Sequence, residues 1–117
     1  MRLRSDFWVA AWLRRCNGAG ATAVLRRRGA AEAGAIFIVV DDLAGNRELY
    51  GPAPQSEVSG AGIDRVFARL HRAPQIDAAE TERRLARQLA FDSDIWIVET
   101  EDRERRCFLD LAEPDSD

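Results

Sequence analysis

The chain contains no lysine, a single histidine (His71) and two cysteines, Cys16 and Cys107. Each scarcity closes a class of function. One histidine leaves a Ser-His-acid catalytic set with a single possible base, and no Gly-x-Ser-x-Gly turn accompanies it. Two cysteines far apart in sequence form no metal-ligand spacing, so free thiols in a reducing compartment are the expectation. Apolar runs are also short. The longest, residues 7–13 and 33–40, fall well below the ~20 residues that span a bilayer. Arg2 and Arg4 precede the first run, but Asp6 interrupts it and Arg14-Arg15 stand where a signal cleavage site should lie. A cytoplasmic protein without a membrane segment is expected.

Of what is present, the stretch Ala33-Gly34-Ala35-Ile36-Phe37-Ile38-Val39-Val40-Asp41-Asp42 organises the rest. On a strand, Ile36, Ile38 and Val40 share one face and Phe37 and Val39 the other. Both faces are apolar, which predicts a central strand covered on both sides by helices or by a second subunit. A buried helical segment is the alternative, though helices usually need about ten residues or more.

The 117 residues and 46% hydrophobic content suit one domain that needs no disulfide or metal to fold. Residues 1–112 form the expected domain, and 113–117 an acidic, frayed tail. The net charge of −3 conceals a gradient. Arginines crowd the N-terminal third, and acids crowd the end of the chain, so the two regions should attract each other within one chain or between copies.

Taken in order, Ser5 suits a helix N-cap, Asp6 the first turn, and Asn17-Gly18 a stop. Trp8, Trp12 and Cys16 lie at i, i+4, i+8 beside Val9 and Leu13, an apolar helical stripe. Gly18-Ala19-Gly20 follows a helix instead of joining a strand to one, so it lacks the setting of a phosphate-binding turn. Residues 22–28 predict a strand with Val24, Arg26 and Arg28 on one face and Ala23, Leu25 and Arg27 on the other. A turn at 43–46 leads to a short strand at 47–50. Gly51-Pro52-Ala53-Pro54 should then forbid regular structure, and 56–62 read as a mobile loop. Residues 65–71 alternate as a strand, a short helix being the alternative. Asp77-Ala78-Ala79-Glu80 is a capping box opening a helix with Ala78, Leu85 and Leu89 inward and a Glu80–Arg84 surface pair. Ile95-Trp96-Ile97-Val98-Glu99-Thr100-Glu101 is a second strong strand, with Trp96 and Val98 on one face and Ile95, Ile97, Glu99 and Glu101 on the other.

Four blocks together carry a resemblance: residues 4–9 (Arg-Ser-Asp-Phe-Trp-Val), 32–38, 49–55 and 91–99. They resemble the bacterial domain-of-unknown-function family 1491. The resemblance implies a small bacterial protein and brings no activity, cofactor or catalytic residue with it.

The expected fold is therefore a single α+β domain, order α-β-β-β-β-α-β, with a predominantly antiparallel sheet and two main helices. The second helix crosses over to lay the last strand parallel to a neighbour. The leading functional reading is a small binding or interaction module without catalytic activity. Its partner would be itself or another protein, and Arg26, Arg28 and Trp96 are its candidate binding residues. Nucleic acid is not expected, since the chain is net acidic and the arginine run divides between faces. The alternative is a metal-dependent enzyme acting on a phosphate-bearing substrate through Asp41, Asp42, Glu99 and Glu101. No cofactor is expected under the leading reading. Convergence of those carboxylates would favour the enzyme, and a flat apolar patch near Trp96 the module.

Overall fold

The computed structural model describes residues 3–54 and 65–112. At its centre lies β2 (Ile36–Asp41), with all six residues buried. Ile36, Ile38 and Val40 pack with Val9, Trp12 and Cys16 of α1 (Ser5–Gly18). Phe37 and Val39 point the other way, toward Leu85 of α2 (Ala78–Phe91). Two-sided apolar patterning thus produced a two-sided core, each face covered by one helix.

Five strands form one sheet in the order β1-β5-β2-β3-β4, where β1 is Thr22–Arg27, β3 Arg47–Pro52, β4 Phe67–Arg69 and β5 Trp96–Glu101. Three pairings are antiparallel, and β2 with β5 is the parallel one. The helix α2 carries the chain back so that β5 can lie parallel to β2, as a crossover requires. The element order is the one the sequence predicts.

Several local expectations need correction. The β3 strand does not stop at Gly51 but continues through Pro52, pairing Gly51 with Ala68 and Pro52 with Phe67. A proline is tolerated because it is the strand's last residue, and Ala53 N–H resumes bonding to the Val66 carbonyl. Gly51 is there for space: a Cβ would lie 2.8 Å from the Phe37 ring and 2.9 Å from Leu70 Cδ1. The strand expected at 65–71 shrinks to three residues. His71 is the reason at its end, since the buried imidazole Nε2 accepts from Leu49 N–H at 3.1 Å and Nδ1 lies 2.7 Å from the Ala73 carbonyl. A side chain has taken the ladder's place.

Ser5 is not the cap of α1 but its first buried turn. Its hydroxyl donates to the Gly34 carbonyl at 2.7 Å and accepts from Arg65 Nη2 at 2.9 Å. The Ser5 and Asp6 N–H groups find the carbonyls of Glu32 and Ala31 instead of a side-chain cap. In α2, Asp77 caps as expected, accepting from Glu80 N–H at 2.8 Å. Ala78, however, is exposed, and the inner stripe is Thr81, Leu85 and Leu89. The expected loop at 56–62 and tail at 113–117 lie outside the described residues.

After β5 the chain does not leave the domain. Trp12 Nε1 donates to the Cys107 carbonyl at 3.1 Å, and Cys107, Phe108 and Leu109 pack on the α1-side core. Phe67 N–H then bonds the Asp110 carbonyl, and Ala112 N–H bonds the Phe67 carbonyl. This strap meets the outer edge of β4 at Phe67. Among the described residues no helix is long and apolar enough to cross a membrane.

Candidate functional site

Parallel pairing of β2 with β5 sets Asp41 opposite Glu101 and Val39 opposite Glu99. Side chains two apart on a strand share a face, so Asp41, Glu99 and Glu101 emerge together on the α2 side, at the C-terminal ends of both strands. One carboxylate oxygen from each lies within 4.8 Å of the others. Three of the four acids marked in the sequence therefore converge.

Two arginines enter the same cluster. Arg47, opposite Asp41 on β3, places Nη1 3.3 Å from Asp41 Oδ1. Arg26 reaches across from β1, with Nη1 3.1 Å from Glu99 Oε1 and Nη2 2.9 Å from Glu82 Oε1 on α2. Burial raises the Glu99 carboxyl above its ordinary range, Arg26 works against that rise, and the Asp41 charge adds to it. Three carboxylates thus face two guanidiniums. A hard divalent cation would find oxygen ligands here, but would have to compete with both arginines for them.

Asp42 stays outside the cluster because β2 ends at Asp41 and the turn that follows takes its carboxylate. It accepts from Ala44 N–H at 2.8 Å, Asn46 N–H at 3.1 Å and Asn46 Nδ2 at 3.0 Å, and so closes the turn between β2 and β3. The Asn46 amide bond is the main cause holding its carboxyl below the usual range. Leu43 at φ 65° and Gly45 at φ 94° give this turn its left-handed positions.

The arginine run also divides differently from expectation. A bulge between Leu25 and Arg27 interrupts strict alternation, so Arg26 faces the acids while Arg28 lies over the Trp96 ring, 5.2 Å from guanidinium carbon to ring centroid. Trp96 itself is 1% exposed, and its Nε1 donates to the Ala30 carbonyl at 2.8 Å. The indole is a core anchor with its polar end satisfied.

His71 serves the fold, as described, and burial lowers its pKa. Both cysteines are free, and burial pushes the Cys16 thiol up to about 11, far from a reactive thiolate.

Two features escaped the sequence reading. One is the outer edge of β1, where Val24 is 50% and Leu25 38% exposed. Its signal was the pair Val24-Leu25, apolar on both faces of a strand. The other is a recess of about 200 Å³ lined by Leu49, Leu70, Arg84, Arg87 and Gln88. Its signal was Arg84, Arg87 and Gln88 at i, i+3, i+4, one face of a helix.

The sequence matches the model of the family DUF1491, described as a protein of unknown function, over residues 3–110. A crystal structure of a DUF1491 family protein from Caulobacter crescentus superposes with a TM-score of 0.78 at 32% identity, covering 97% of this chain and 100% of that one. The solution structure of protein Atu0922 from A. tumefaciens gives 0.80 at 38% identity, covering 99% of this chain and 100% of that one. No curated protein matches the chain.

Proposed function

The chain belongs to the DUF1491 family, and we propose that it is a non-catalytic interaction module that accepts a partner strand on the outer edge of β1. The partner strand is β1 of a second copy. The observation that carries this reading is the contrast between the sheet's two edges. The β4 edge is bridged by residues 110–112 through both backbone groups of Phe67, whereas β1 pairs with no second strand among the described residues, its outer edge being met at Ala23 by the Asn17 side chain. From Leu25 onward that edge offers backbone donors and acceptors to another strand.

Charge supports a two-fold, antiparallel arrangement. Arg26 and Arg27 stand at one end of β1, while Thr22 at the other end lies beside Glu101. Pairing centred on Leu25, whose backbone groups share the outer edge with those of Ala23, brings the arginine end of each copy alongside the partner's acidic end, the self-complementary contact a two-fold axis requires. Val24 and Leu25 lose their exposure in the middle. The two free cysteines further support placing the module in the cytoplasm.

Sedimentation velocity over a concentration series tests the reading. The native chain should show a monomer–dimer equilibrium weakened by salt, and Val24→Arg/Leu25→Glu should remain monomeric with an unchanged circular dichroism spectrum. A native chain that stays monomeric throughout the series overturns it.

Convergence of Asp41, Glu99 and Glu101 favours a second reading, a metal-dependent enzyme acting on a phosphate-bearing substrate. Under it the three carboxylates hold Mn²⁺ or Mg²⁺, and Arg47 and Arg26 exchange their acid partners for substrate phosphate. A cation bound only by the folded chain raises stability, by about 2.7 kcal/mol at a hundredfold excess over the dissociation constant. The interaction reading expects millimolar Mn²⁺ to leave the melting temperature unchanged. A rise that vanishes in Glu99→Gln establishes the second reading instead.

A further inference from the structure

We propose that the recess between α2 and the β3–β4 side of the sheet binds a small organic carboxylate bearing an apolar chain. Its floor is aliphatic: the half-buried Leu70 lines it, and Leu49 lies wholly buried beneath. Its wall is the Arg84, Arg87 and Gln88 face of α2. The combination of an apolar base with convergent donors on one side is what a small-molecule site requires.

The two arginines play different parts. Arg84 is fixed, with Nε 2.7 Å from Glu80 Oε2 and Nη1 2.9 Å from the Leu70 carbonyl. Glu80, shared with Arg83, offsets part of its charge, and its orientation is set before any ligand arrives. Arg87 is different: among the described residues neither its guanidinium nor the Gln88 side-chain amide has a hydrogen-bond or ion-pair partner. The wall therefore offers one uncompensated positive charge, a second guanidinium held in place, and an amide donor. A monoanion with two oxygens matches that set better than a phosphate dianion does.

The recess, open on one side with a volume of about 200 Å³, suits a short ligand. A short-chain fatty acid fits, its alkyl chain on Leu70 and its carboxylate on Arg87, with Gln88 and the unused Arg84 nitrogen beside it.

Titration of the ¹⁵N-labelled chain with hexanoate, followed by amide chemical shifts, tests this. Saturable shifts confined to Leu49, Leu70 and the Arg84–Gln88 turn are expected, with a dissociation constant on the order of 0.1–1 mM. Arg87→Gln, at an exposed position with nothing to unfold, should weaken binding about tenfold. Hexanol, lacking the charge, and acetate, lacking the chain, should each bind far more weakly. No saturable shift with hexanoate, shifts that persist undiminished in Arg87→Gln, or equal binding of hexanol overturns the proposal. Inorganic phosphate binding as tightly as hexanoate overturns the assignment to carboxylates.

Discussion

The two faces of the sheet are built to different ends. On the α1 side, Trp12, Phe67, Trp96 and the β2 aliphatics form a continuous core, and residues 107–109 close its margin. The polar groups there serve the interior: the indole N–H of Trp12 and Trp96, the Ser5 hydroxyl and the Thr100 hydroxyl all bond backbone carbonyls. On the α2 side the cluster is smaller, made of Phe37, Val39, Leu49, Leu85, Ile95 and Ile97. One amphipathic helix does not reach the sheet's margins, and those margins are charged. Both the carboxylate cluster and the arginine-walled recess lie there. The lesson is that chemistry collects where apolar cover runs out, because uncovered strand positions must carry residues that water tolerates.

The sharpest way to break this contrast is to truncate β2 toward each face. Ile38 is wholly buried on the α1 side, and Ile38→Ala should cost roughly 2–5 kcal/mol. Val39→Ala, on the α2 side, removes less and leaves a cavity beside a helix that can settle, so about 2 kcal/mol is expected. Denaturant unfolding of both variants decides it. Equal losses would mean that the two faces are packed alike, and a loss under about 1 kcal/mol for Ile38→Ala would remove it from the core altogether.

His71 sharpens the comparison next. Its imidazole satisfies Leu49 N–H from the α2-side margin, so His71→Ala should cost about 1–3 kcal/mol by orphaning a buried donor. A pH dependence follows from the lowered pKa, whose first cause is burial. The native state binds fewer protons at this site than the unfolded chain. Stability should therefore be fully present above the unfolded value of about 6.5 and fall as pH drops from there toward the folded pKa. Unfolding midpoints measured from pH 8 to 5 should show this acid loss in the native chain but not in His71→Gln. An identical decline in both would place the titrating group elsewhere.

The smallest effect is expected at the carboxylates. Glu99→Gln loses an ion pair with Arg26 but also a carboxylate that burial disfavours. These oppose each other, and a change below about 1 kcal/mol is expected in chemical denaturation. The raised carboxyl works with the opposite sign to His71, costing stability as pH rises through its folded pKa. The variant should lack that component. A loss well above 1 kcal/mol would show that the cluster holds the two strand ends together.

Much of the layout was legible because periodicity is local. The faces of β2 and β5, the Val9–Trp12–Cys16 stripe and the Asp77 cap all follow from residue types at fixed spacings. The convergence of Asp41, Glu99 and Glu101 was readable only as one option, since Glu99 stands 58 positions after Asp41 and a strand's neighbours are not written in its own pattern. The misreadings arose where a distant group satisfied a local need. Ser5 gave up capping because the 31–32 carbonyls met the helix end and Gly34 claimed its hydroxyl. The 65–71 strand stopped short because an imidazole replaced the ladder.

By itself, then, the sequence determined which segments are strands and helices, which faces are apolar, and that β2 must be covered on both sides. Those are consequences of side-chain direction and the avoidance of exposed apolar surface, and each element carries them alone. Only the tertiary structure decided that β5 enters between β1 and β2, and hence that Glu99 meets Arg26. It alone left β1 at an edge of the sheet and raised Arg84 and Arg87 over Leu49. Strand order and register depend on pairing energies between segments far apart in the chain, and no single segment's pattern contains them.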